Sequence, residues 1–147
     1  MTSQIKGGQF GPVTQTDIVR FAGAGGDFNP LHHDPAAARQ ADFEAPIAMG
    51  QFTIALLSAW LTDQIGVENL RSLDVEFKAP VSIGDVISFT VEIDSEVGVV
   101  GPDTTLSASI HATVGETTVA TGRTTLSTER ATLAGGEGSD PDHLVED

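Results

Sequence analysis

Two periodicities divide the chain. Between residues 14 and 65 apolar positions recur at helical spacing, and from residue 72 they alternate with polar ones at the period of a strand. Val13-Thr14-Gln15-Thr16-Asp17-Ile18 carries the marks of a helix start. Thr14 can cap, Asp17 completes a capping box three residues on, and Val13 and Ile18 are placed as a hydrophobic staple. The helix is expected to bury Ile18, Phe21 and Ala22 and to stop at Gly23-Ala24-Gly25-Gly26, a run too rich in glycine to propagate it. Asp34, Pro35 and three alanines repeat the logic, with an aspartate cap and proline at the first helical position. From Gly50 to Ile65 the apolar residues Phe52, Ile54, Leu56, Leu57, Trp60, Leu61 and Ile65 fall nearly all round a helix, which predicts a buried one.

The period then changes. Leu73, Val75, Phe77 and Ala79 alternate with Ser72, Asp74, Glu76 and Lys78, and Ile87, Phe89, Val91 and Ile93 with Ser88, Thr90, Glu92 and Asp94. Leu106, Ala108, Ile110, Ala112 and Val114 form a third such series, and residues 118–127 a fourth. Turn signals separate them at Pro80–Asp85, Gly98–Asp103 and Gly115-Glu116. Four successive strands with short links predict an antiparallel sheet with one apolar face, for which the long helix is the cover. The expected class is α+β, an antiparallel sheet wrapped around a central helix. Residues 1–128 form the expected single domain. The last stretch, 129–147, has six acids, no base beyond Arg130 and His143, and little to bury; it reads as a disordered tail, and His143 within it carries no functional weight.

Composition narrows the possible chemistry. The 147 residues contain no cysteine, which excludes disulfides, thiolate nucleophiles and cysteine-bound metals. With 21 acidic against 7 basic residues and a net charge of −14, the surface repels nucleic acid and anionic membrane. The amino terminus lacks the apolar core of a secretory signal and no run is long enough to span a membrane, so a cytoplasmic protein is expected. An acid-rich chain with only two lysines, Lys6 and Lys78, also fits a salt-adapted cytoplasm.

The stretch "GDFNPLHHDP", residues 26–35, concentrates the polar chemistry. Asp27 and His32 are five residues apart with Asn29-Pro30 between them forcing a turn, so a carboxylate and an imidazole can point into one space. Such a pair sharing a water makes a general acid/base unit. The same residues also make an ordinary loop, with Asp27 and Asn29 as turn formers, and Asp34 already has a capping role. Gly50 stands immediately before the buried helix, where unpaired amides at the positive end of the helix dipole could polarise a carbonyl oxygen. Helix-entry flexibility would account for the same glycine.

"FAGAGGDFNPLHHDP" resembles the signature of the MaoC-like family of R-specific enoyl-CoA hydratases, in which Gly-Asp-x-Asn-Pro-x-His precedes x-Asp and a short helix. The resemblance extends from about Thr14 to Leu126 through "ADFEAPIAMG" and "VEFKAPVSIGDVISFTVEI". It implies the hot-dog fold, with Asp27 and His32 as the catalytic pair that holds and activates water. Asn29, placed with the substrate-binding residues, would help order the loop or the catalytic hydrogen bonds, and the Gly50 amide would bind the thioester carbonyl. The implied substrate is an acyl-CoA thioester, or an acyl carrier protein thioester, with no metal and no redox cofactor. Two subunits are implied, in a homodimer or a heterodimer.

His33 falls at a variable position of the signature, and His111 lies on the polar face of its strand. Many family members have histidine where this chain has Met49, so the wall of the acyl site is more apolar here. Lys78 and Arg71, bordering the first long strand, are candidates for the CoA phosphates, although strand-flanking cations commonly only solvate an edge. Two alternatives stand beside the hydratase: a hot-dog thioesterase that cleaves the thioester, and a non-catalytic acyl-binding subunit of a heteromeric enzyme. The presence of both Asp27 and His32 argues against each.

Overall fold

The computed structural model describes residues 4–100 and 103–127, with side chains for 7–94 and 105–127. The order along the chain is β1 (Gln4–Phe10), α1 (Gln15–Gly25), a 3-10 turn (Pro30–His32), α2 (Pro35–Gln40), α3 (Gly50–Ile65), a second 3-10 turn (Val67–Asn69), β2 (Leu70–Phe77), β3 (Ile87–Val100), β4 (Asp103–Val114) and β5 (Thr117–Ser127). The five strands form one antiparallel sheet in the order β1-β3-β4-β5-β2.

Local chemistry explains the helix bounds. The Thr14 hydroxyl accepts the Asp17 amide at 3.1 Å while Asp17 Oδ2 accepts the Thr14 amide at 2.9 Å, closing the capping box. Helix α1 then runs on through Gly23, Ala24 and Gly25, further than expected, and ends at Gly26 in the left-handed conformation with φ 70°. Glycine inside a helix costs only about 1 kcal/mol, and the positive φ that stops the helix is needed at one position alone. Asp34 caps α2 through the Ala36 amide at 2.8 Å, with Pro35 at the first position.

The core lies between α3 and the inner face of the sheet. Phe52, Leu57 and Leu61 of α3 meet Ile87, Phe89 and Val91 of β3, Ala108, Ile110 and Ala112 of β4, and Val119, Ala120 and Leu126 of β5, all buried. Trp60 stacks on Phe89 with ring centroids 5.9 Å apart, and Phe52 takes edge-on contacts from Phe10 and Phe21. Burial of α3 is not all round: Gln51, Ala55, Ala59, Asp63 and Gln64 are exposed along one stripe.

Three further features differ from expectation. Strand β1 was unmarked in the sequence, because Gly7-Gly8 interrupts its alternation. The missing side chain at Gly8 is the space that the Trp60 indole occupies. Strand β2 pairs with β5, not β3, so β1 and β2 are the two sheet edges. The expected turn at Gly98–Asp103 shrinks, since β3 continues to Val100 and β4 begins at Asp103. The proposed tail, 129–147, lies outside the described residues. Among the described residues no helix is long and apolar enough to cross a membrane.

Candidate active site

The loop after α1 brings Asp27 and His32 together. Asp27 Oδ2 stands 3.5 Å from His32 Nε2; the carboxylate side chain is 44% exposed and the imidazole 10%. The other polar atom of each side chain is committed to backbone. Asp27 Oδ1 accepts the Asn29 amide at 3.3 Å, and His32 Nδ1 lies 2.8 Å from the carbonyl oxygen of Ile47. A carbonyl only accepts, so Nδ1 carries a hydrogen and Nε2 is the ring atom turned toward Asp27. The two atoms face each other at 3.5 Å, the long limit of a direct hydrogen bond, so a carboxylate and an imidazole present polar atoms to one place.

The loop backbone is tied on three sides. The Asp27 amide donates to Ala22 of α1 at 3.1 Å, the His32 amide to the Asn29 carbonyl at 3.0 Å, and the Ile47 amide to the Leu31 carbonyl at 3.0 Å. Gln15 Nε2, from the first turn of α1, donates to the His32 carbonyl at 2.9 Å. The Asn29 side chain accepts the Leu31 amide at 3.0 Å and so caps the 3-10 turn. Its oxygen is thereby engaged within the loop.

Gly50 opens α3, whose cap residue Met49 makes no side-chain capping bond, so the first-turn amides meet no side-chain acceptor there. A groove of about 400 Å³ runs alongside, with Gly50, Gln51 and Thr53 on one side and Phe77, Lys78 and Val81 on the other. Neither Asp27 nor His32 lines it. Ile47 joins the two features, lining the groove with its residue and holding the His32 ring with its carbonyl. A β-carbon on Gly50 would come within 2.6 Å of the Phe77 ring, so a larger residue here requires that ring to move.

Of the candidate phosphate ligands, Lys78 lines the groove and pairs with Glu76 at 2.6 Å, whereas Arg71, at the opposite end of β2, donates to the Glu68 carbonyl at 3.0 Å. A larger depression of about 600 Å³ on the sheet's outer face gathers Asp74, Glu76, Ser109, His111 and Arg123. It touches none of the loop residues, so size alone does not choose the site. Among the described residues no cluster of three histidine or acidic side chains could hold a metal. Gln15, the Ile47 carbonyl and Phe77 were invisible in the sequence; each acts through a contact between distant positions with no local motif.

Over 79 residues the chain is 38% identical to an (R)-specific enoyl-CoA hydratase of Aeromonas caviae, covering 52% of this chain and 59% of the relative. Over 84 residues it is 36% identical to a 3-hydroxybutyryl-CoA dehydratase of Methylorubrum extorquens, covering 55% and 53%. The chain thus spans about half the length of the curated relatives it matches. A solved (R)-hydratase of A. caviae involved in PHA biosynthesis superposes with a TM-score of 0.67 at 29% identity, over 82% of this chain and 92% of that one. The unliganded R-hydratase of Pseudomonas aeruginosa shares the fold at a TM-score of 0.70 and 19% identity, over 99% and 91%. The sheet-and-helix architecture is the hot-dog fold. The model of the MaoC-like domain matches residues 6–111, and the chain belongs to that family.

Proposed function

We propose that this protein is an (R)-specific enoyl-CoA hydratase, equally a 3-hydroxyacyl-CoA dehydratase in reverse. The observation that carries the reading is the Asp27 Oδ2 to His32 Nε2 facing pair, with the second polar atom of each residue already held by backbone. Water bound between the two gives up one proton to the pair as its oxygen bonds to C3 of the 2-enoyl thioester. The C2–C3 π electrons move toward the thioester oxygen, and C2 then takes a proton from the pair. Charge developing on that oxygen is stabilised by the Gly50 amide at the positive end of α3. Every step reverses for dehydration, and the two carbons gain one water in total.

The acyl group arrives as a CoA thioester, with an acyl carrier protein as the alternative carrier. The names of the A. caviae and M. extorquens relatives support a CoA substrate, and that of the A. caviae relative the R configuration. A homodimer in the cytoplasm completes the proposal. Support for pairing is the free edge of β2, beside the half-exposed Phe77 and the Gly50 groove; sedimentation velocity checks it, a monomer at micromolar concentration being the contrary result.

The test follows the enoyl-thioester ultraviolet absorbance of crotonyl-CoA and a longer 2-enoyl-CoA with free thiol monitored in the same cuvette. Absorbance loss without thiol release, giving the R-3-hydroxyacyl product, is the expected result. Thiol release identifies a thioesterase instead, and silence in both channels contradicts an active hydratase.

A further inference from the structure

We infer that Gln15 is a positioning residue for the Asp27–His32 pair. Helix α1 touches the loop at both of its ends. Its last turn takes the Asp27 amide through the Ala22 carbonyl at 3.1 Å, and its first residue reaches out through Gln15 Nε2 to the His32 carbonyl at 2.9 Å. The two members of the pair are therefore pinned to one rigid strut, an 11-residue helix whose start is fixed by the Thr14–Asp17 capping box. Gln15 occupies the first helical position directly after that cap, so its backbone is set before its side chain makes the bond.

The consequence lies in the position of one ring. Beside the local bond of its amide to Asn29, His32 is held at its ring by Ile47 and at its carbonyl by Gln15, two restraints from segments 15 and 17 residues away on opposite sides of it in sequence. Losing the Gln15 bond releases the His32 carbonyl, while the amide stays bonded to Asn29 and Nδ1 to Ile47, so the residue can turn about those two anchors and swing Nε2 relative to Asp27 Oδ2. Acid/base chemistry through a shared water tolerates about 0.5 Å of such movement, and a displacement of about 1 Å can cost roughly 10²-fold in rate. Gln15 touches neither the water nor a substrate; its effect passes through His32 alone.

Three variants test this. Gln15→Leu keeps the stem and removes the donor, Gln15→Glu keeps the length and replaces the donor with an acceptor, and Gln15→Lys restores a donor. The kinetic arm rests on the hydratase reading: with crotonyl-CoA, the Leu and Glu variants are expected to lower kcat by about 10- to 100-fold with KM within twofold, and the Lys variant to recover most of the loss. The second arm does not need turnover. Histidine-ring nitrogen and proton resonances of the unliganded protein should show His32 protonated on Nδ1 in the wild type and displaced signals in the Leu and Glu variants. Wild-type ring signals in both variants would overturn the inference, as would a kcat loss that Lys fails to restore or that comes with an equal change in KM. Displaced ring signals in a protein that hydrates no enoyl-CoA would sustain the positioning role and reject the hydratase reading instead.

Discussion

At Asp27 and His32 one polar atom is spent on the backbone and the other is left facing its partner, so the geometry of the pair is set before any ligand arrives. Gly50 shows a different residue-scale economy, in which one absence serves two purposes. The empty side-chain position leaves the helix amides accessible and also accepts the tip of the Phe77 ring. Gly50→Ala should therefore destabilise the fold by about 1 kcal/mol, the low end for overpacking, because the 47% exposed Phe77 can swing its ring outward. In a Phe77→Ala background the same methyl should cost much less. A double-mutant cycle of denaturant midpoints measures this; an unchanged Gly50→Ala cost would show that Phe77 is not the obstacle.

Among the elements, α1 links stability to the candidate site. Thr14→Ala removes its cap and should cost about 1 kcal/mol, read by urea unfolding of the single tryptophan, Trp60. The Thr14 hydroxyl and amide hold the Asp17 carboxyl below its ordinary pKa. Since the folded value is the lower one, the contribution of Asp17 is complete above the normal carboxylate range and fades as pH falls through it. Asp17→Asn should lose stability at pH 7 and show a shallower decline between about pH 5 and 2 than wild type; parallel declines would contradict that origin. The caps, the bounds of α3 and most of the strand pattern were legible because each is written within a few neighbouring residues. The same holds for the Asp27/His32 turn, where Asn29-Pro30 declares itself locally. Strand β1 was not legible, since Gly7-Gly8 erases its alternation and its pairing with β3 is remote. Nor were the Gln15 and Phe77 contacts, which exist only once α1 meets the loop and β2 meets α3.

Taken as a whole, the chain carries a net charge of −14, and self-repulsion among its carboxylates opposes folding. Adding sodium chloride from roughly 0.01 to 0.5 M should raise the melting temperature by a few degrees as the Debye length shortens; a flat or falling Tm would remove charge repulsion from the account. The sheet and α3 hold the two features the proposed reaction calls on: a loop that faces a carboxylate toward an imidazole, and the start of α3 with no side-chain cap on its first-turn amides. Hydration of a 2-enoyl thioester needs both at once. The most direct measurement is kcat for crotonyl-CoA hydration in Asp27→Asn, His32→Ala and the double variant, each checked for a native fold by Trp60 fluorescence. If the two side chains act as one unit, each single change lowers kcat by about 10²-fold or more and the double falls little further. Wild-type-like turnover in either single variant would contradict the proposed mechanism.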